Sequence, residues 1–229
     1  MKFRNPFKDL SKFELILWSV SIVVVTGSFF VQPSGDILSL IASLIGVTAL
    51  IFVAKGYVLG QVLTVVFAVF YGIISYYFKY YGEMITYLFM TSPIAILSVV
   101  SWMKHPYEKT AEVVVSRMNK KKIMIMLVFA IVVTVLFYFI LKFLGTANLL
   151  FSTFSITTSF LASYLSYMRS PYYAIAYAGN DIVLIVLWVL ASIQDISYLP
   201  MVLCFVMFFA NDIYGFINWK RMRKRQERT

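Results

Sequence analysis

Histidine and cysteine each occur once in the chain, at His105 and Cys204. A single cysteine cannot form an intramolecular disulfide, and one histidine without a cysteine partner argues against a metal site. The sequence also lacks a phosphate-binding Gly-Lys-Ser/Thr motif, a Gly-x-Ser-x-Gly elbow, His-Glu pairs and paired cysteines. These absences exclude ATP-driven transport by this chain alone. They predict a protein that is not an enzyme and uses no cofactor or metal.

Charged residues are also scarce, at 13% of the 229 residues, whereas 61% are hydrophobic and the mean hydropathy is +0.84. Soluble domains carry about 25% charged residues. Eight apolar segments are each long enough to cross about 30 Å of hydrocarbon as a helix. They span residues 15–35, 37–54, 56–78, 84–103, 123–141, 143–168, 170–194 and 196–219. The sequence therefore predicts an all-α integral membrane protein, a single domain over residues 1–229 with eight transmembrane helices.

The basic residues fix an orientation for these helices. Of the 20 Lys and Arg residues, Lys79 and Lys142 alone lie outside the two tails and the connections after the second, fourth and sixth segments. The positive-inside rule then places both termini in the cytoplasm of a multi-pass protein in the inner (cytoplasmic) membrane. The net charge of +10 thus indicates membrane topology and contact with anionic lipids, and we expect no nucleic-acid partner.

Two of the apolar segments each contain an Asn-Asp pair followed by a Trp seven residues after the Asp. These are Asn180-Asp181 with Trp188, and Asn211-Asp212 with Trp219. Seven residues make two helical turns, so each Asp shares a helix face with its Trp. A carboxylate inside a membrane costs at least about 2.5 kcal/mol on insertion scales. Either backbone amides or a Lys hold each Asp, or the Asp and Trp form a pocket for a flat cation. We favour the pocket.

The ends of the fourth and eighth segments resemble each other. Each has a small residue four positions before a Trp, and the two tryptophans, Trp102 and Trp219, are 117 positions apart. This offset predicts two parallel three-helix repeats, at about 37–103 and 148–219, with a linking helix at about 122–143 that reverses the chain. Parallel repeats of this kind are a transporter architecture. The first helix, 14–31, lies outside both repeats and is predicted to be peripheral.

Other local signals leave alternatives open. Pro93 is predicted to kink or loosen the fourth helix, either for packing or as a hinge. The hydroxyl residues crowded between Thr153 and Ser163 usually mark close helix packing, and some are suited to hydrogen-bond a ribose. We expect the tyrosines from Tyr71 to Tyr81 to be interfacial aromatics, and the connection 104–121 to lie on the membrane surface as an amphipathic segment.

Several of these motifs together resemble the PnuC nicotinamide riboside transporter family. The motifs are Val53-Ala54-Lys55-Gly56, Tyr81-Gly82-Glu83, Pro93 with Trp102, and Asn211 with Tyr214-Gly215 and Trp219. The resemblance implies a SWEET-like fold, a homotrimer, and facilitated diffusion of nicotinamide riboside driven by its phosphorylation in the cytoplasm. It also implies substrate contacts in the second half of the chain. With the Asn-Asp pairs, the candidate substrate-binding residues are Asn180, Asp181, Trp188, Asn211, Asp212 and Tyr214.

The first half of the chain departs from the family pattern. Gly60, Phe67 and Tyr87 align with family Asn residues, and Ser92 and Ile94 flank Pro93 where the family has a Gln. A different substrate of similar chemistry is therefore an alternative, such as thiamine or another flat cationic vitamin. Two further alternatives are a proton-coupled carrier that uses Asp181 or Asp212, and a membrane-embedded enzyme or lipid-binding protein. The last would need a polar cluster at one membrane interface.

Overall fold

The computed structural model describes residues 5–31, 37–77, 81–108, 110–146 and 148–228. Within them the chain forms eight apolar helices of membrane-spanning length, as predicted. The helices are α1 (Lys12–Val31), α2 (Ile37–Ala54), α3 (Val58–Tyr77), α4 (Tyr81–Met103), α5 (Lys120–Phe143), α6 (Leu149–Tyr167), α7 (Tyr172–Gln194) and α8 (Leu199–Gln226). Two single 3-10 turns, Pro6–Asp9 and Ile196–Tyr198, precede α1 and α8.

Helix α4 is loosened where the sequence predicted. Its middle, Thr86–Thr91, is a π-helix, and the regular α-helix resumes at Ser92. Pro93 explains the position, because proline has no N–H to donate and its ring clashes with the carbonyl four residues earlier. The wider turn relieves that clash and rotates the side chains that precede it. One consequence is that Tyr87 is buried inside the bundle.

The centre of the bundle is built by α2, α3, α7 and α8, whose inward side chains form the main apolar cluster. α5 and α1 lie at the edge, since only 17% and 22% of their apolar lengths are buried within the protein. The peripheral position of α1 agrees with the prediction, but its first turn is anchored. Glu14 is buried and forms an ion pair with Lys55 at 3.0 Å.

The turns that end α2 and α6 have the same hydrogen-bond pattern. In the first, Gly56 N–H donates to Val53 O, and the next N–H reaches back to Phe52 O, both at 2.9 Å. In the second, Arg169 and Ser170 donate in the same way to Ser166 and Leu165, also at 2.9 Å. Both turns are Schellman caps with a left-handed residue, Gly56 at φ 71° and Arg169 at φ 55°.

Two tryptophans and the connection before α5 join these turns. Trp219 Nε1 donates to Val53 O at 2.9 Å, and Trp102 Nε1 donates to Ser166 O at 3.0 Å. Each indole therefore caps a carbonyl of the other half of the chain, and the two rings lie 5.3 Å apart. We refer to this end of the bundle, which holds residues 55–57, 104–119, 168–171 and the end of α8, as the basic end.

The connection 104–119 differs from its prediction as an amphipathic surface segment. Its described residues before Asn119, 104–108 and 110–118, form no helix, and Val113 is buried. Val113 N–H donates to Gly56 O and Ser116 N–H to Arg169 O, both at 2.9 Å. The C-terminal part of α8 closes over the connection through ion pairs of Arg225 with Glu112 and of Arg117 with Glu227. Free backbone groups at two helix ends, which sequence patterns do not reveal, hold it in place.

The closest helix approach generates a prediction about stability. Gly60 on α3 lies against the backbone of α2, where an added Cβ would overlap Val53 N and come within 2.7 Å of Phe52 C. Backbone cannot move aside as a side chain can, so Gly60→Ala should destabilise the protein by about 1–3 kcal/mol or more. Thermal unfolding in detergent measures the change.

Gly27→Ala is the matched control, because an added Cβ at Gly27 meets nothing within 4 Å. Alanine favours a helix over glycine by about 0.5–1 kcal/mol, so this variant should unfold at the same temperature as the parent or higher. Equal unfolding temperatures for the two variants would contradict the close α2–α3 packing.

Candidate functional site

The Asp residues of the two predicted pairs meet in the middle of the bundle. Asp181 on α7 and Asp212 on α8 are each 3% exposed, and their carboxyl groups lie within reach of each other. The second oxygen of Asp181, Oδ2, has no hydrogen-bond partner among the described residues. No Lys holds either group among the ion pairs that the structure describes.

Asn180, the residue beside this pair, faces α6. Its side-chain oxygen accepts hydrogen bonds from Thr158 at 2.9 Å, Ser159 at 3.0 Å and Ser155 at 3.4 Å. The serines come to this face because Ser155 and Ser159 are four positions apart, one turn of α6. Asn180 and Ser155 thereby extend the polar region from α7 toward α4.

Glu83, in the first turn of α4, completes this polar region. It is buried, and its Oε1 accepts a hydrogen bond from Ser155 at 3.4 Å. Its Oε2 is buried with no hydrogen-bond partner in the part of the chain that the structure describes. A buried carboxyl oxygen without a partner costs about 1–3 kcal/mol. This oxygen is therefore available to a ligand.

Aromatic side chains form the other wall of the region. Trp188, two turns along α7 from Asp181, is buried and donates its indole N–H to the hydroxyl of Tyr71 at 3.2 Å. The Tyr71 ring lies 4.4 Å from Tyr87, which the π-helical turn of α4 places there. Tyr198 packs on Trp188 at 5.7 Å. These contacts hold the Trp188 ring in one orientation.

Glu83 and Trp188 line one small cavity, near the end of the bundle opposite the basic end. Its volume is about 70 Å³, space for about two water molecules. The remaining lining includes Asn148, Ser152 and Gln194 at the ends of α6 and α7. Lys, Arg and His are absent from the lining, as far as the described residues show. Nor do the described residues contain three or more His, Cys, Asp or Glu side chains grouped to hold a metal.

The structure divides the six predicted site residues into two groups. Asn180, Asp181, Trp188 and Asp212 lie together in the bundle core, whereas the other two face α1. Asn211 Nδ2 donates to Ser21 Oγ at 3.0 Å, and the Tyr214 hydroxyl donates to Glu14 at 2.7 Å. The two Asn-Asp pairs are thus not equivalent in their surroundings. A role in ligand binding for Asn211 and Tyr214 stays a prediction.

Sequence reasoning did not select Glu83, Tyr71 or Tyr87 as site residues. Tyr71 was grouped with the interfacial tyrosines, yet it is buried, while Tyr76 and Tyr77 are exposed as predicted. A signal for Tyr71 was present, because it stands 117 positions before its partner Trp188, the same offset that relates Trp102 to Trp219. Glu83 directly precedes the apolar segment 84–103, and its one signal in the sequence is its place in the Tyr81-Gly82-Glu83 motif.

Eight membrane-length helices with buried carboxyl groups between them define the class as a polytopic membrane protein. A family model described as nicotinamide mononucleotide transporter matches residues 36–221. The chain belongs to this family, which consists of transporters and not of enzymes.

Named relatives agree with the assignment. The nicotinamide riboside transporter PnuC of Neisseria mucosa is 26% identical over 227 residues, covering 97% of this chain and 86% of that protein. The protein of the same name from Haemophilus influenzae is 22% identical over 212 residues, covering 92% of this chain and 91% of its own. The crystal structure of a vitamin B3 transporter PnuC superposes with a TM-score of 0.82 at 25% identity, covering 95% of this chain and 94% of that one.

The carboxyl pair generates a prediction about folding. In Asp181→Asn the new amide can still donate to Asp212, so stability should stay close to that of the parent. Asp181→Leu keeps the branched shape but cannot hydrogen-bond, so it leaves Asp212 buried without this partner, which should cost about 1–3 kcal/mol. Thermal unfolding of both variants in detergent tests the difference. If Asp181→Leu unfolds at the same temperature as Asp181→Asn, the pair does not contribute to stability.

Proposed function

We propose that this protein carries nicotinamide riboside, a precursor of NAD, across the cytoplasmic membrane. Facilitated diffusion would suffice, with phosphorylation inside the cell preventing return. The names of the relatives support this substrate. The observation that carries the proposal is the pairing of Glu83 and Trp188 on one cavity. A buried carboxyl oxygen without a partner and an indole ring are the two groups that bind a flat aromatic cation.

The charge of the cavity favours the riboside over the mononucleotide for which the family is named. The two molecules differ by a phosphate group. The described lining of the cavity has a carboxyl group and no basic side chain, and like charges placed together cost several kcal/mol. A phosphate would thus be repelled where the pyridinium of the riboside is attracted.

Each part of the riboside has a suitable partner. We assign the pyridinium ring to Trp188, with Glu83 as its counter-charge and Asp181 deeper in the bundle. A cation–π contact contributes about 0.5–2 kcal/mol. The ribose hydroxyls would bond Asn180 and Ser155, which already exchange a hydrogen bond at 3.4 Å. Asp212 acts through its neighbour Asp181, and Asn211 and Tyr214 remain candidate contacts.

The cavity must enlarge to admit this substrate. Pockets for drug-sized ligands occupy about 300–1,000 Å³, several times the 70 Å³ seen here. This conformation is therefore nearly closed around the site. The π-helical turn of α4 begins three residues after Glu83, at Thr86. We propose that α4 bends at this turn when the site opens.

Thiamine is the second candidate substrate, since it is also a flat aromatic cation. Proton coupling is a second candidate mechanism, which the two neighbouring buried carboxyl groups of Asp181 and Asp212 favour. Calorimetry with both vitamins separates the substrates. Uptake into proteoliposomes with and without a pH gradient separates a proton-coupled carrier from simple facilitation.

We also propose the two-repeat organisation, with repeats at about 37–103 and 148–219 and α5 as the linking helix. The matching turns after α2 and α6 and the reciprocal Trp102 and Trp219 hydrogen bonds support it. The exposed apolar surface of α5 suits lipid or a second copy, and we expect a homotrimer. The basic end would face the cytoplasm and its anionic lipids.

The cation site predicts a loss of affinity on removal of one charge. Glu83→Gln is nearly isosteric and should weaken nicotinamide riboside binding about tenfold, or about 1.4 kcal/mol. Trp188→Ala should weaken it similarly, and the two losses should be less than additive because both groups hold one ring. Isothermal titration calorimetry of the purified protein measures each affinity.

Uncharged nicotinamide is the control ligand, and its affinity should not fall in Glu83→Gln. Glu227→Gln is the control variant, because it makes the same change at the basic end, away from the cavity. Equal riboside affinity in Glu83→Gln and the parent would remove Glu83 from the site.

The proposed orientation predicts which connections face each side. In a Cys204→Ala background, a membrane-impermeant thiol reagent added to intact cells should label Asp195→Cys, between α7 and α8. It should label His105→Cys, after α4, only in inverted vesicles or broken cells. Both native residues are exposed. The reverse labelling pattern would invert the orientation, and labelling of both positions from outside would contradict the number of helices between them.

A further inference from the structure

We propose that a second cavity, at the basic end, binds one anionic phospholipid, with its phosphate between Arg117 and Arg223 and an acyl chain along α5. The cavity has a volume of about 660 Å³, within the range of about 300–1,000 Å³ that ligand pockets occupy. It lies where the connection before α5, the turn between α6 and α7, and the end of α8 come together. The proposal does not depend on the transported substrate, because this lining shares no residue with the cavity beside Glu83.

The charge of this cavity is positive. Its described lining contains Arg117 and Arg223 and no acidic side chain. The two guanidinium groups share one counter-charge, because Arg117 Nη2 lies 2.8 Å and Arg223 Nε 3.5 Å from the same oxygen, Glu227 Oε1. Two cations on one carboxylate leave an excess positive charge beside the cavity. Guanidinium groups bind phosphate through paired N–H donors, so the anion that this site fits is a phosphate.

Further basic groups at the cavity await an acceptor. Arg223 Nε is buried and makes no hydrogen bond in the part of the chain that the structure describes, and a buried charged donor without a partner is destabilising. Lys220 Nζ lies 5.1 Å from the ring centre of Tyr172, which lines the cavity. Lys122 is half-buried and stands one turn of α5 before Met126, another lining residue, so the two share a helix face. Basic pockets of this kind between membrane helices bind the headgroups of anionic lipids.

The lining changes from charged to apolar along the helix axes. Arg117 and Arg223 come from the connection before α5 and from the end of α8, whereas Met126 and Leu165 lie within α5 and α6 and are buried. Met126 is six residues into α5 from Lys120, which places it about 9 Å further into the membrane. A phospholipid has the same order, with the phosphate at the membrane surface and the chains inside. A soluble anion would leave the apolar half of the cavity unfilled.

An exposed apolar stripe on α5 continues from the cavity into the membrane. Ile123 lines the cavity, and Leu127 and Ile131 follow at intervals of four residues on the same helix face. These three side chains are 39%, 47% and 65% exposed. The stripe is about 12 Å long, close to the thickness of one leaflet, about 15 Å. An acyl chain on this stripe, attached to a phosphate at Arg223, would join α5 at the edge of the bundle to α8.

Lipid binding to the purified full-length protein in a neutral detergent tests the site. Native mass spectrometry should show phosphatidylglycerol binding about tenfold more tightly than zwitterionic phosphatidylcholine, and the bound lipid should raise the unfolding temperature. Arg117→Gln combined with Arg223→Gln should weaken phosphatidylglycerol binding about thirtyfold, or about 2 kcal/mol for the two charges. Lys104→Gln combined with Arg221→Gln is the matched control. It removes the same charge from two exposed residues of the basic end outside the described lining, and its affinity should stay within about twofold of the parent.

A second pair of variants tests the apolar half without changing charge, and it serves if the arginine variant fails to fold. Ile123→Trp should fill the space for the chain and weaken phosphatidylglycerol binding severalfold. Ile125→Trp should not weaken it, because Ile125 is equally exposed, at 39%, but lies outside the described lining. Equal affinity for the two lipids, equal losses in the two double variants, or equal affinity in the two tryptophan variants would overturn the lipid site. An equal rise in unfolding temperature with inorganic phosphate would overturn it too, in favour of a soluble anion.

Discussion

Hydrocarbon offers no hydrogen-bond partners, and this constraint decides how the polar groups inside the protein are paired. Every polar group inside the bundle must find its partner in the protein or in a ligand. Helices satisfy their own backbones, and most hydroxyls are satisfied within their helix or across an interface. The tryptophans at the basic end use their indole N–H groups for the same purpose, each on a carbonyl in the last turn of a helix. A few carboxyl oxygens, on Glu83 and Asp181, have no such partner among the described residues.

These unpartnered carboxyl oxygens are the packing features on which the proposed ligand site depends. Glu83 is tolerated in the first turn of α4 because Ser155 satisfies one of its oxygens and the cavity gives space beside the other. The rigid Tyr71–Trp188 contact prevents the aromatic wall from collapsing into that space. At the opposite end the chain is tightly joined, since the connection 104–119 binds both helix turns and α8. The basic end is nevertheless not sealed, because a cavity of about 660 Å³ lies there between Arg117, Tyr172 and Arg223, whereas the cavity beside Glu83 has about 70 Å³.

The family resemblance and the local chemistry answer different questions. The resemblance covers nearly the whole chain and fixes the class of protein. Choosing between related substrates depends on the cavity, where a carboxyl group, an indole and serine hydroxyls stand together and basic side chains are absent from the described lining. Gly60 and Phe67, which the resemblance aligns with Asn residues of the family, serve packing in this chain. Gly60 permits the closest approach of α2 and α3, and Phe67 joins the apolar core.

The sequence by itself determined the number, length and polarity of the helices, because apolar length and the position of Pro93 act locally along the chain. It also made Asp181 and Trp188 candidates, since a spacing of seven that puts a carboxyl group and an indole on one helix face is visible in the sequence. Only the tertiary structure decided that Asp212 pairs with Asp181 while its neighbour Asn211 turns to α1. It likewise brought Glu83 to Trp188 and Ser166 to Gln61 across different helices. Such contacts depend on how the helices rotate and cross, and no periodicity within one helix contains that information.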